Sequence, residues 1–224
     1  MGKLIVIEGV DASGKATQTE KLYNRLFAEY NTVKKISFPD YESDFSLPIK
    51  RYLAGDLGTH ADDVNAYAAS LFYAIDRYAS FKQKWGPFYE DGGILVADRY
   101  VTSNLVHQAA KIEGDKSGFI GWLDDLEYEK LTLPRPDLVL FLDMPPACAR
   151  KLMAGRANKI TGQAEKDIHE KDAGYLERAY NNAMHIASLC NWQIISCAEG
   201  DRIRSIEEIH EEIYQIAKMN IEHS

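Results

Sequence analysis

Leu4-Ile5-Val6-Ile7-Glu8-Gly9-Val10-Asp11-Ala12-Ser13-Gly14-Lys15 is the stretch that decides the architecture. Its first four residues form a short apolar run rich in β-branched side chains, which reads as a strand. The Gly-x-x-x-x-Gly-Lys spacing that follows leads into helical spacing at Leu22, Leu26 and Phe27. Between a strand and a helix this spacing has a physical purpose. The glycines let the chain curl so that backbone N–H groups point at phosphate oxygens, the helix presents its positive end, and the lysine reaches the outer phosphates. Gly9, Val10, Asp11, Ala12, Ser13, Gly14, Lys15, Ala16 and Thr17 are therefore read as a cradle for nucleotide phosphates. One position departs from the full pattern: Ala16 stands where a Ser or Thr would ligate magnesium, and Thr17 comes one residue late. Either Thr17 serves, or the Mg2+ is held by nucleotide phosphates, waters and an acid such as Asp98, and the second is preferred because magnesium keeps much of its hydration.

Outward from this loop, further apolar segments at Val33 to Phe38, Ile94 to Ala97, Leu138 to Leu142 and Gln193 to Cys197 read as strands. Helical patterns lie between and after them, at Ala66 to Lys82, Ala147 to Leu152, Tyr175 to Leu189 and Ile206 to Ile216. The alternation, with strands apolar on both faces, predicts an α/β three-layer sandwich around a mostly parallel five-stranded sheet, the P-loop NTPase fold. In such sheets ligands bind beyond the carboxyl ends of the strands. The residues that follow the first four strands are polar and specific: Glu8 to Asp11, Phe38-Pro39-Asp40-Tyr41, Asp98-Arg99-Tyr100 and Asp143. No repeat or linker divides the chain, so residues 1–224 are expected to form a single domain. A polar, lysine-rich segment at about 155–171 is expected to act as a lid.

The composition fits an ordinary globular enzyme: of 224 residues, 46% are hydrophobic and 27% charged. A net charge of -8 argues against a broad nucleic-acid-binding face and leaves room for a focused cationic cleft. No apolar run has the length of a membrane helix, and the Met1-Gly2 start lacks the hydroxyl residue that myristoylation needs at position 6, where Val6 stands. Cys148, Cys190 and Cys197 form neither a close pair nor a zinc spacing, which suits thiols left free in a reducing cytoplasm.

A phosphate cradle alone does not choose among GTPases, motor ATPases and small-molecule kinases. No Asn-Lys-x-Asp base-reading motif occurs, and the chain is short for a mechanical ATPase. Four further motifs in order narrow the choice: Phe38-Pro39-Asp40-Tyr41, Phe72-Tyr73-Ala74-Ile75-Asp76-Arg77, Asp98-Arg99-Tyr100-Val101-Thr102-Ser103-Asn104, and Pro136-Asp137-Leu138 running to Asp143. With them the sequence resembles the thymidylate kinases over essentially its whole length. Ala12 stands where one branch of that family has an arginine, so the likeness is to the bacterial-type branch, which carries its basic residues in the lid.

The resemblance implies ATP-dependent phosphorylation of dTMP to dTDP by a cytoplasmic homodimer, without a nucleic acid or membrane partner. It implies that Lys15, Arg99, Asp98 and a lid cation, Arg156 first, with Arg150, Lys159 and Lys166 as rivals, act on the transferring phosphate. Arg99 is expected to grip the acceptor phosphate, and Asp98 to hold the metal through water or to orient Arg99. Tyr73 and Arg77, four apart on one helical face, are implied to stack on thymine and meet its carbonyl edge, with Phe72 as the nearby alternative stacker. Asn104 is implied at the base edge, His107 and Gln108 near the sugar, and Asp11, Phe38, Pro39 and Tyr41 along the acceptor side. Asp167 and Glu170 are expected to anchor the lid. Two other readings stay open: a deoxynucleoside kinase using Asp40 as base, and a non-catalytic ATP-binding regulator, for which Ala16 is the encouragement.

Overall fold

In the computed structural model, residues 1–153, 168–200 and 202–223 are described. The chain runs through β1 (Lys3–Gly9), α1 (Lys15–Tyr30), β2 (Val33–Ser37), α2 (Leu47–Ala54), α3 (Ala66–Ser80), α4 (Gly86–Glu90), β3 (Ile94–Asp98), α5 (Thr102–His107), α6 (Ser117–Asp124), β4 (Leu138–Asp143) and α7 (Pro146–Met153). It continues through α8 (Ile168–Lys171), α9 (Ala173–Leu189), β5 (Gln193–Ser196), the short strands β6 (Ala198–Glu199) and β7 (Arg202–Ile203), and α10 (Ile206–Glu222).

Five strands form one sheet in the order β2-β3-β1-β4-β5, and every pairing in it is parallel. β1 lies at the centre, with Ile7 opposite Asp98 on one side and Gly9 opposite Leu142 on the other. Strand side chains enter two cores in alternation. Ile5 and Ile7 pack with Leu22, Leu26, Ile209 and Ile213 on one face, while Leu4 and Val6 pack with Trp85, Tyr100 and Phe119 on the other. Both faces are therefore apolar, which is why the strands read as continuous apolar runs. Each such buried side chain contributes about 1.5–3 kcal/mol. β6 and β7 make a separate antiparallel ribbon.

All five expected strands are present; four match within a residue at each end, and β1 runs two residues past Ile7 to Gly9. The helix expected to run to Lys82 ends at Ser80, and a π-helical turn over Phe81–Trp85 carries it into α4. A second π turn, Asp125–Lys130, prolongs α6. Such turns insert a residue into the helical ladder and are frequent at functional sites. The closing helix α10 starts where sequence dictates: Ser205 and Glu208 form a reciprocal capping box, and Ile209, Ile213, Tyr214 and Ala217 make its buried stripe.

Candidate active site

The loop from β1 to α1 curls as its glycines permit. Gly14 has φ 90, a left-handed conformation that glycine adopts without steric cost. A Cβ on Gly9 would sit 2.7 Å from Ser13 Oγ and 3.0 Å from the carbonyl oxygen of Leu142, so no larger residue fits. Ala12 is also left-handed, at φ 60, despite its side chain. Within the curl Lys15 is buried and its Nζ donates to the Val10 carbonyl at 2.7 Å. Burial first, then Arg99, pulls the Lys15 ammonium down to about 8, against the opposing carboxylates of Asp11, Asp98 and Glu8.

Arg99 follows β3 with φ 67, again left-handed for a residue that carries a side chain. That turn sends its guanidinium back across the loop. Nη2 donates to Asp11 Oδ1 at 2.6 Å, and Nη1 donates to Glu8 Oε1 at 3.3 Å, Ser103 Oγ at 3.2 Å and His107 Nε2 at 2.9 Å. Arginine can only donate, so His107 accepts through Nε2 and carries its proton on Nδ1. Burial and the Arg99 charge hold His107 well below the ordinary histidine value, keeping it neutral for that task. Burial alone would raise the Asp11 carboxyl, yet Arg99 and then Lys15 hold it well below the carboxylate range.

Glu8 is the hub beneath this array. Fully buried, its carboxylate accepts from Thr102 Oγ1 and Ser103 Oγ, each at 2.7 Å, as well as from Arg99. Behind His107 lies a second layer. His169 stacks on it with ring centroids 6.3 Å apart, bonds Tyr52 Oη through Nε2 at 2.8 Å, and is lowered to about 4 chiefly by burial. Tyr175 Oη donates to the His107 carbonyl at 3.0 Å.

The remaining expected residues fall into three groups. Phe38 is core, while Pro39 and Tyr41 are half-buried after β2. Tyr73 and Phe72 are half-buried on α3 against the cluster of Ile49, Tyr52 and Ile168. Arg77 lies deeper: its side chain is 1% exposed, Nε donates to Glu127 Oε2 at 3.0 Å, Nη2 pairs with Glu127 Oε1, and Nη1 donates to the Tyr100 carbonyl at 3.4 Å. Asn104 is buried with its Nδ2 on the same Glu127 oxygen, and Gln108 is buried one turn further along. Ala16 and Thr17 are exposed on α1. Arg150 is exposed and, with Val10, Asp11, Pro146, Leu176 and Tyr180, lines an open cleft. Arg156, Lys159, Lys166 and Asp167, and the side chain of Glu170, lie outside the described residues.

Lys15, Asp11, Asp98 and Arg99 thus meet at the carboxyl edge of the central strands, the place where a parallel sheet receives ligands. Comparison with known proteins agrees. The family model for thymidylate kinase matches residues 7–213. Thymidylate kinase of Mycobacterium tuberculosis is 33% identical over 177 residues, covering 78% of this chain and 81% of that one. The human enzyme is 31% identical over 218 residues, covering 95% and 88%.

The chain belongs to the thymidylate kinase family.

In fold it matches the solved thymidylate kinase of Candida albicans with a TM-score of 0.70 at 22% identity, over 100% of this chain and 94% of that one. Membership in the thymidylate kinase family makes the chain an ATP-dependent nucleoside monophosphate kinase, and neither the nucleoside kinase nor the non-catalytic reading is favoured. Sequence reasoning gave no role to Glu127 or His169, and named Glu8 and Ser103 only within their motifs. Glu8 carried a signal, an acid at the end of a strand with two buried faces. Glu127 carried none, because its neighbours Asp125 and Glu129 make it look like one more surface charge.

Proposed function

We propose that this chain transfers the γ-phosphoryl group of ATP to dTMP, giving dTDP and ADP, and does so in the cytoplasm as one kinase domain. The observation that carries the reading is Arg99, whose guanidinium reaches from the end of β3 to Asp11 of the cradle at 2.6 Å. A planar fork at that junction suits the phosphate of an acceptor laid against the γ-phosphate of a donor. The acceptor phosphate has a second pKa of about 6, so its oxygen is already a nucleophile at neutral pH and no strong base is required. The protein's work is then alignment and charge neutralisation. Backbone N–H groups of residues 9–15 and Lys15 hold the donor, Arg99 holds the acceptor, and Glu8, Ser103 and neutral His107 keep Arg99 in place. Tyr73, Arg77 and Asn104 take the base, with Phe38, Pro39, Tyr41, His107 and Gln108 around the rest of the nucleotide. Arg150, already beside Asp11 on the cleft wall, is the described cation closest to the role expected of Arg156.

Magnesium suits this donor set in one particular way. Among the described residues no group of three or more potential ligands comes together, and none donates a hydrogen bond to the half-buried Asp98 carboxylate beside Lys15. Asp98 is the acid assigned to a hydrated cation held through water, in preference to Thr17. When bound, Mg2+ would neutralise charge on the donor phosphates.

A homodimer completes the reading. Leu71, Ile75 and Tyr78 are 42%, 49% and 37% exposed on one stripe of α3, with Tyr67 at its start, an apolar face that a second copy would cover. Among the described residues no helix is long and apolar enough to cross a membrane. The test is ADP release from MgATP with dTMP, dUMP, other monophosphates and thymidine offered in turn. Turnover with dTMP, with or without weaker dUMP, is expected. Turnover with thymidine alone, or none with any acceptor, would overturn the proposal.

A further inference from the structure

Between α3 and α5 the structure gathers polar atoms that lack partners. Ser70 Oγ, Asp76 Oδ1 and Gln108 Oε1 are sealed and without a hydrogen bond among the described residues. Buried polar atoms are nearly always satisfied, so each of the three has bonding capacity that the described residues do not use. Asn104 of α5 reaches across to the first of these residues. Its Nδ2 donates to the Ser70 carbonyl at 3.3 Å and to Glu127 Oε1 at 3.4 Å. A peptide carbonyl and a carboxylate can only accept, so they fix which way the amide faces: the NH2 group turns inward, and Oδ1 is left to meet whatever enters the groove. Glu127 is itself immobilised, being fully buried and held at both oxygens by Nε and Nη2 of Arg77. It comes from the π turn Asp125–Lys130, which gives the second device in this region: Arg77 lies one turn before the π turn Phe81–Trp85.

We infer that Glu127 is a specificity-determining positioning residue: by holding the Asn104 amide with Oδ1 outward, it makes the site select acceptor bases that present a ring N–H. The inference rests on the proposed placement of the base beside Asn104. A thymine or uracil edge offers such an N–H, whereas cytosine offers a lone pair at the same ring position and would face Oδ1 with repulsion. Glu127 acts through Asn104 and touches no reacting atom.

The test is Glu127→Gln. Glu127 Oε1 accepts from both Arg77 Nη2 and Asn104 Nδ2, so a glutamine whose NH2 takes that place removes the charged acceptor that holds the Asn104 amide and frees the amide to turn a donor outward. The expected result is that the ratio of kcat/KM for dTMP to that for dCMP falls by about tenfold to a hundredfold, the worth of a charge-assisted hydrogen bond, while KM for ATP stays put. Equal losses with both substrates, or an unchanged ratio, would show a merely structural Glu127 and overturn the inference. If the variant does not fold, wild-type protein is used instead, with dTMP and its N3-methyl derivative as competing ligands. Binding of the methylated nucleotide at least about tenfold weaker supports an outward Oδ1, and equal binding overturns it. Asn104→Ala separates the two levels of argument. An unchanged KM for dTMP in that variant would remove the base from this groove, and the role of Glu127 with it.

Discussion

At the scale of single residues, the site is a contest between burial and charge. Arg99 is held by four side chains from three elements, and only a planar fork can serve Asp11, Glu8, Ser103 and His107 together. Arg99→Lys keeps the charge and loses the fork, so kcat/KM for the acceptor is expected to fall by about a hundredfold with KM for ATP changed far less, as steady-state kinetics would read. Lys15 makes the opposite kind of statement. Its pKa is lowered to about 8, so above that pH the free protein carries a neutral amine, whereas a bound triphosphate favours the ammonium. Binding of ATP at about pH 9 is therefore expected to take up close to one proton, and almost none at about pH 6.5. Calorimetry in buffers of different ionisation heat measures that uptake, and Lys15→Met should abolish it. The Gly-x-x-x-x-Gly-Lys spacing announced Lys15, and the strand-end position announced Arg99. The partner of Arg77 was hidden, because whether an acid such as Glu127 is buried depends on which helix lands on it.

At the scale of elements, legibility followed periodicity. Strands buried on both faces and long helices with one apolar stripe, α9 and α10 above all, wrote their boundaries into the chain. The helices that escaped notice are short or mixed. α2, α5 and α6 have six to eight residues each, too few for a stripe to repeat, and the π turns break the helical period where Glu127 sits. The cradle is the element most tightly bound to its sequence. Gly9→Ala would push a methyl group against the Leu142 carbonyl across the β1–β4 pair, and thermal unfolding is expected to show a loss of about 1–3 kcal/mol together with loss of ATP binding. Ser205→Ala, which opens the capping box of α10 far from the loop, is expected to cost about 1 kcal/mol while turnover is preserved.

At the scale of the whole molecule, the apolar stripe of α3 predicts assembly. Ile75→Glu places a charge in its middle, and light scattering is expected to give a dimeric mass for the natural chain and a monomeric one for the variant. The sheet order carries a further consequence. β1 is flanked by strands that lie some ninety and some hundred and thirty residues away along the chain, so its hydrogen-bonding edges find partners only after long loops have closed. Along the chain the phosphate loop comes before its braces: the clamp arginine stands eighty-four residues after Lys15, and the carbonyl of Leu142 that backs the loop later still. A chain made as far as the cradle motif lacks the strands that brace it, so nucleotide capture is expected to begin only once the centre of the sheet has closed.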